Sequence, residues 1–325
     1  MYTGTAGFVD AVVPFVEDGV ALEQPVLVAV AGERLAALQT ALGATANQVR
    51  FADMAELGRN PAQIIPAWLE FVAAHSADGT PIRGVGEPIW AERSATEIVE
   101  CQFHESLLNL AVAPDVPLWL ICPYDVSALD AVVIAEAQRS HPALVEADRY
   151  RGSTLYGGAF HVQELFRGEL PEPTGFAHSA PFSSTDVRQV QHWIEAAATD
   201  AGMSVERARQ LAAAVQQLAL DSIRYGNGRG ALRHWVSGTT MISEVFDPGV
   251  VTDPLVGRST ILGGDTHRPG LWSANRVCDL VQVRSTEAGT TTRVHAPITA
   301  AAPPSRPERT RAPQRPALSY EDSDN

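Results

Sequence analysis

At 325 residues the chain is long enough for two domains that each bury a core, and 45% hydrophobic against 19% charged residues excludes disorder over most of its length. The formal charge of −14 argues against a nucleic-acid phosphate track, and all 24 Lys and Arg residues are Arg, which excludes every mechanism built on lysine. Three cysteines are too few for a disulfide framework, no run approaches the roughly 18 to 20 apolar residues of a membrane span, and the N-terminus lacks a leader pattern, so a cytoplasmic protein without membrane or direct nucleic-acid contact is expected.

Residues 1–148 alternate strand-like and helix-like segments, the pattern of a doubly wound parallel sheet. The spacing predicts strands at 25–32, 49–54, 82–88 and 117–123, which are near-continuous apolar runs suited to central positions. Helical periodicity falls at 6–19, 33–42, 61–75, 95–113 and 127–140, with Ser94 and Glu97 forming a capping box at the fourth helix. Residues 149–184 mix Gly157-Gly158, Pro171 and Pro173 with a short helical stretch at 160–166 and read as a linker. A helix at 186–200 capped by Asp186, a longer helix at 205–225, strands at 231–236 and 241–246, a short helix at 270–278 and a hairpin at 280–285 and 290–296 make a second domain over 185–298. The remaining 299–325 is rich in Ala, Pro and Arg and is expected to be a disordered tail.

In the first domain, polar groups gather at the predicted carboxyl ends of two central strands: Glu87, Trp90, Arg93, His104, Glu105, Asn109, Cys122, Tyr124 and Asp125. Ligands of doubly wound sheets settle at such ends, so these residues are the candidates for sensing a small molecule. His104 and Glu105 equally suit hydrogen bonds to Arg93, Tyr124 or backbone, and that structural or ligand-binding role is preferred to a phospho-acceptor role. Cys101, His104 and Cys122 lack the paired spacing of a closed zinc site. Trp90, Trp119 and Tyr124 fit either a pocket lining or simple core.

The phrases Gly86-Glu87-Pro88-Ile89-Trp90, Cys101-x-x-His104-Glu105 and Ile121-Cys122-Pro123-Tyr124-Asp125 resemble the MEDS sensory domain over about residues 6–148. The resemblance implies a RecA-like sheet reused for sensing, and the sequence has no Gly-x-x-x-x-Gly-Lys loop. Segments 217–226, 247–258 (with Asp253-Pro254-Leu255-Val256-Gly257-Arg258), 270–279 and 289–295 resemble the anti-sigma serine-kinase branch of the GHKL family, as found in RsbA-like regulators.

That second resemblance implies a GHKL α/β sandwich with a nucleotide site at Gln217, Asp221, Asp247, Gly249, Gly270, Leu271 and Thr291. The family's general-base Glu is replaced by Gln217, which has no titratable group, and its Asn by Asp221, the one expected metal ligand, for Mg2+. Asp247 is implied as the adenine-reading carboxylate, supported by Thr291. Arg268-Pro269-Gly270 stands where a Gly-x-Gly phosphate turn is usual, and Pro269 lacks an amide donor. The expectation is therefore a signalling regulator: a sensor of a small-molecule signal controlling a degenerate domain that takes ATP or ADP with Mg2+ weakly. A sigma factor or an anti-anti-sigma protein is the implied partner, and a homodimer the implied assembly. The alternative is an active ATP-dependent serine or histidine protein kinase, since phosphoryl transfer relies largely on positioning.

Overall fold

A computed structural model describes residues 1–76, 79–146, 149–258 and 268–298. The first part runs α1 (Gly4–Ala21), β1 (Val26–Val30), α2 (Gly32–Leu42), β2 (Arg50–Asp53), α3 (Met54–Leu57), α4 (Ile64–His75), β3 (Ile82–Gly86), α5 (Ala95–Ala111), β4 (Leu118–Ile121) and α6 (Ala131–Ser140). The four apolar runs form a parallel sheet in the order β2-β1-β3-β4. The chain thus leaves β1 to one side for β2 and to the other for β3, which opens a crevice above the carboxyl ends of β1 and β3.

Helices cover both faces, because side chains alternate along each strand. Val26, Val28, Val30 and Val85 pack on Phe8, Val12 and Val16 of α1 and Leu38 of α2. Leu27 and Ala29 face the other way, into a core with Ile64, Trp68 and Phe103. Gly84 is a packing requirement: a Cβ there would stand 2.6 Å from the Leu120 side chain and 2.7 Å from the Trp68 ring, so the indole lies directly on the strand. Helix starts follow local chemistry. Ser94 and Glu97 make the expected capping box at α5, and the Asn60 carboxamide accepts from Ala62 N with Pro61 in the first turn that leads into α4. Helix α6 begins later than the predicted 127, because Ser127 donates through both N and Oγ to Asp125 Oδ1 and holds that stretch in a turn.

The second part runs β5 (Ala143–Glu146), β6 (Arg149–Gly152), α7 (Gly158–Arg167), β7 (His178–Ser183), α8 (Val187–Asp200), α9 (Val205–Tyr225), β8 (Arg229–Ser237), β9 (Thr240–Asp247), α10 (Pro269–Val277), β10 (Leu280–Thr286) and β11 (Gly289–Pro297). Strands β5 and β6 form a small antiparallel hairpin. The other five make an antiparallel sheet in the order β10-β11-β9-β8-β7. Leu232, Met241, Val245, Val281, Val283 and Val294 face the helices, meeting Ile194 of α8, Leu211, Val215 and Leu218 of α9, and Leu271 of α10. The result is a two-layer α/β sandwich. The mixed fold agrees with the sequence reading.

Two local features differ from that reading. The helix expected at 160–166 forms as α7, which stacks Phe166 on Phe103 of α5 with ring centroids 6.2 Å apart, but the stretch read as a linker also carries β7, which extends the antiparallel sheet upstream of residue 185. Pro181 within β7 is tolerated because β7 is an edge strand. The Asp186 carboxylate, expected to cap α8, instead accepts from Ser183 N at 2.9 Å and Ser183 Oγ at 2.7 Å. The predicted tail, 299–325, and residues 259–267 lie outside the described residues.

The two sheets are joined by buried polar contacts as well as by a shared core. Glu100 on α5, 1% exposed, receives Arg284 Nη2 and Gln282 Nε2 from β10, with Arg258 Nη2 3.8 Å away. Asn60 and Gln63 both donate to the Asn275 carbonyl of α10, at 2.9 and 3.0 Å, and at the surface Arg59 pairs with Asp279 at 3.3 Å.

Candidate functional site

The C-terminal candidates converge where α9, α10 and the end of β9 meet. Gly270 lets α10 touch α9 backbone to backbone, since a Cβ there would lie 2.2 Å from the Gln217 carbonyl oxygen. Asp221, buried on α9, accepts from Leu271 N at 3.0 Å and so caps the first turn of α10. Burial pushes its carboxyl up to about 6, against the opposing pull of the Leu271 amide and Arg268. The Leu271 amide is thus already taken by a side-chain carboxylate.

Asp247 is also buried. Its Oδ1 accepts from Gly249 N at 2.8 Å, its Oδ2 accepts from Ser222 Oγ at 3.0 Å, and Arg268 Nη1 stands 3.5 Å from Oδ2. Burial raises the Asp247 carboxyl more than Arg268 lowers it. Gly249 is constrained by close approach, as a Cβ would meet the Tyr225 carbonyl oxygen at 2.4 Å. Thr291 is opposite Phe246 in the β9–β11 register, while Thr290 is opposite Asp247 and donates to the Gly249 carbonyl at 2.6 Å. The sheet's alternation therefore puts Thr290 on the face of Asp247 and Thr291 on the other face. The structure brings Gln217, Asp221, Asp247, Gly249, Gly270 and Leu271 together and sets Thr291 apart. Ser222, Arg268 and Thr290 belong to the same constellation, and only the cross-strand register reveals Thr290.

The N-terminal candidates divide into two clusters. The first fills the crevice above β1 and β3. Glu87, at the end of β3, accepts from the Tyr2 hydroxyl, and Arg34 on α2 bridges Glu87 Oε2 at 3.5 Å and Asp125 Oδ2 at 3.4 Å. Tyr2 is held there because its own amide and carbonyl bond to Tyr124 and Val126 just past β4. Neither Tyr2 nor Arg34 was among the residues singled out from sequence, since each lies on an element that only the strand order brings to this point.

The second cluster is Glu105, Cys122, Tyr124 and His141, beside the edge strand β4. The Tyr124 hydroxyl donates to Glu105 Oε2, and His141 Nε2 lies 3.9 Å from Glu105 Oε1. Burial raises the Glu105 carboxyl and, with the nearby Glu105 charge, raises the Cys122 thiol. Cys122, Tyr124 and His141 line a cleft of about 510 Å³ between α1, the end of β4, the end of α6 and the β5–β6 hairpin.

The other candidates have structural employment. Arg93 donates to the carbonyls of Pro88 at 2.6 Å and Gly58 at 2.7 Å and stacks 3.9 Å from the Trp90 ring centroid, clipping the loop after β3. Asn109 ties α5 to α6 through the Ser140 carbonyl at 2.9 Å. His104 is buried, its pKa lowered to about 3 first by burial and then by Arg258. Trp119 is 65% exposed and packs on Arg83, not in a pocket.

Residues 1–142 match the family model MEDS, described as the MEthanogen/methylotroph, DcmR Sensory domain. They form a MEDS sensory domain. No curated protein matches the chain. The matched segment contains both polar clusters, through His141, and it ends just before the β5–β6 hairpin that walls the cleft. A sensory domain of this kind points to a role in signalling and to a small-molecule signal. Among the described residues no helix is long and apolar enough to cross a membrane.

The crevice of the MEDS domain is expected to impose a pH dependence on stability. Burial pushes the Glu87 carboxyl up to about 7, outweighing the Tyr2 hydroxyl and Arg34, which pull it down. The folded protein therefore keeps a proton that the unfolded chain has already released, and stability falls as pH rises from the unfolded pKa through the folded one. Between pH 5 and 8 the loss from this group is roughly 2 to 3 kcal/mol. Glu87→Gln should remove that part of the slope, read from urea midpoints at the two pH values. Equal losses in the variant and the parent would refute the assignment.

Proposed function

We propose that the protein is a signalling regulator in which the MEDS domain controls a degenerate GHKL-type domain, residues 185–298, that binds a sigma factor or an anti-anti-sigma protein. The observation that carries this reading is the seat of Glu100. It lies on α5 of the MEDS domain and engages Arg258, which closes the Asp253–Arg258 phrase, and Arg284 of β10. A shift of α5 on ligand binding is thereby felt by the segment and strand beside the candidate nucleotide site. Output follows from differential affinity of two conformations for a partner, which is what coupling between distant sites requires.

Loss of kinase chemistry is supported by three features acting together. Gln217 offers no base, Asp221 is committed to the first turn of α10, and Pro269 removes an amide from the turn. Asp247 retains the position of an adenine-reading carboxylate, with Arg268 beside it. The test is retention: immobilised full-length protein is offered purified sigma factors and their antagonists, with and without ATP. One partner should be held; retention of none by folded protein would defeat the proposal.

A further inference from the structure

We propose that Glu105, Cys122 and His141 form a binding site for a divalent transition-metal ion, zinc foremost, at the wall of the MEDS-domain cleft. One donor atom from each of the three lies within 4.8 Å of the others, although they come from α5, the residue after β4 and the residue after α6. Topology, not local sequence, assembles them. A small inward adjustment brings such donors to the roughly 2.0 to 2.3 Å bond lengths of zinc.

Two further observations point to an ion. Glu105 is 3% exposed, yet among the described residues no nitrogen or oxygen donor reaches its Oε1, and only the weakly donating Cys122 thiol stands by the carboxyl besides Tyr124, which holds Oε2. A buried carboxylate oxygen left without such a donor is costly, and it is this oxygen that faces His141. His141 Nδ1 lies 2.8 Å from the Ala137 carbonyl, which places the ring proton on Nδ1 and leaves the Nε2 lone pair directed at the cluster. Tyr124 on the carboxylate and the Ala137 carbonyl on the imidazole are the outer partners that orient metal ligands.

The donor set of thiolate, imidazole and carboxylate is borderline soft and suits zinc over magnesium or calcium. Three protein ligands leave a position for a fourth, and Cys122 and His141 both line the cleft, so a small molecule entering it would supply that ligand. On binding, the Cys122 thiol gives up its proton to solvent, and the thiolate with the Glu105 carboxylate balances the two positive charges.

The test uses full-length protein stripped with a chelator and titrated with Co2+, then with Zn2+. One equivalent of Co2+ should bind and give a sulfur-to-cobalt charge-transfer band that Zn2+ abolishes. Cys122→Ser should remove the band, and Glu105→Gln and His141→Gln should each weaken binding by at least about 10-fold. Zinc should also slow alkylation of Cys122 in the unaltered protein, a readout that needs no variant to fold. Absence of stoichiometric uptake, or an unchanged band in Cys122→Ser, would overturn the proposal.

Discussion

Glu100→Ala is expected to destabilise the protein by about 3 to 5 kcal/mol, because it strands two arginines in the interface between the sheets. Arg258 and Arg284 are 4% and 6% exposed, so water cannot replace the carboxylate without opening the interface. Burial already lowers the Arg258 pKa to about 10 despite the attraction of Glu100, and removing that attraction leaves the desolvation uncompensated. The two guanidinium groups also share the Phe103 ring, at 5.3 and 5.2 Å from its centroid, and they repel each other beside it. Replacing all three charged residues with Met should recover most of the loss, since buried ion clusters are often matched by apolar packing. Urea unfolding of the single and triple variants measures both effects. A single variant within about 1 kcal/mol of the parent would show that the cluster does not hold the sheets together.

Gly270→Ala is expected to cost about 3 kcal/mol, at the upper end of overpacking penalties. The new Cβ would sit 2.2 Å from the Gln217 carbonyl oxygen, 2.5 Å from its carbon and 2.8 Å from Asp221 Oδ2. Two of those atoms are backbone of α9 and cannot rotate away, so α10 must lift and the Asp221 to Leu271 bond must lengthen. Gly175→Ala is the control, as a Cβ there meets nothing within 4 Å and the change should stay within about 0.5 kcal/mol. Thermal unfolding separates the two. If both variants melt together with the parent, the close approach of α9 and α10 is wrong.

Much of the fold was legible because its elements announce themselves locally. The four parallel strands are short apolar runs, and the stripe Ala208, Leu211, Ala212, Val215, Leu218, Ala219 on α9 has helical spacing and is buried throughout. Strand β7 was not legible, since only Phe182 in it is buried and it contains Pro181. Strands β5 and β6 are four residues each and show no alternation to detect. The site followed the same rule. Glu87, Glu105, Cys122, Tyr124 and Asp125 stand beside strand ends and were found from the phrases around them, whereas Tyr2, Arg34 and His141 reach the clusters only through topology. Residue type alone could not separate Arg93, which clips a loop, from a ligand-binding arginine. Nor could it show that Asp221 meets an amide fifty positions away and caps a helix there.

Calorimetric titration of the full-length protein with ATP and with ADP, each with and without Mg2+, tests the proposed nucleotide site most directly. With Asp247 in place and the amide of Leu271 already satisfied, any binding should rest on adenine. Affinities for ATP and ADP should lie within a few-fold of each other and be unmoved by Mg2+. Preference for ATP over ADP by 10-fold or more that appears only with Mg2+ would contradict it, because phosphates would then be held where Asp221 now caps α10.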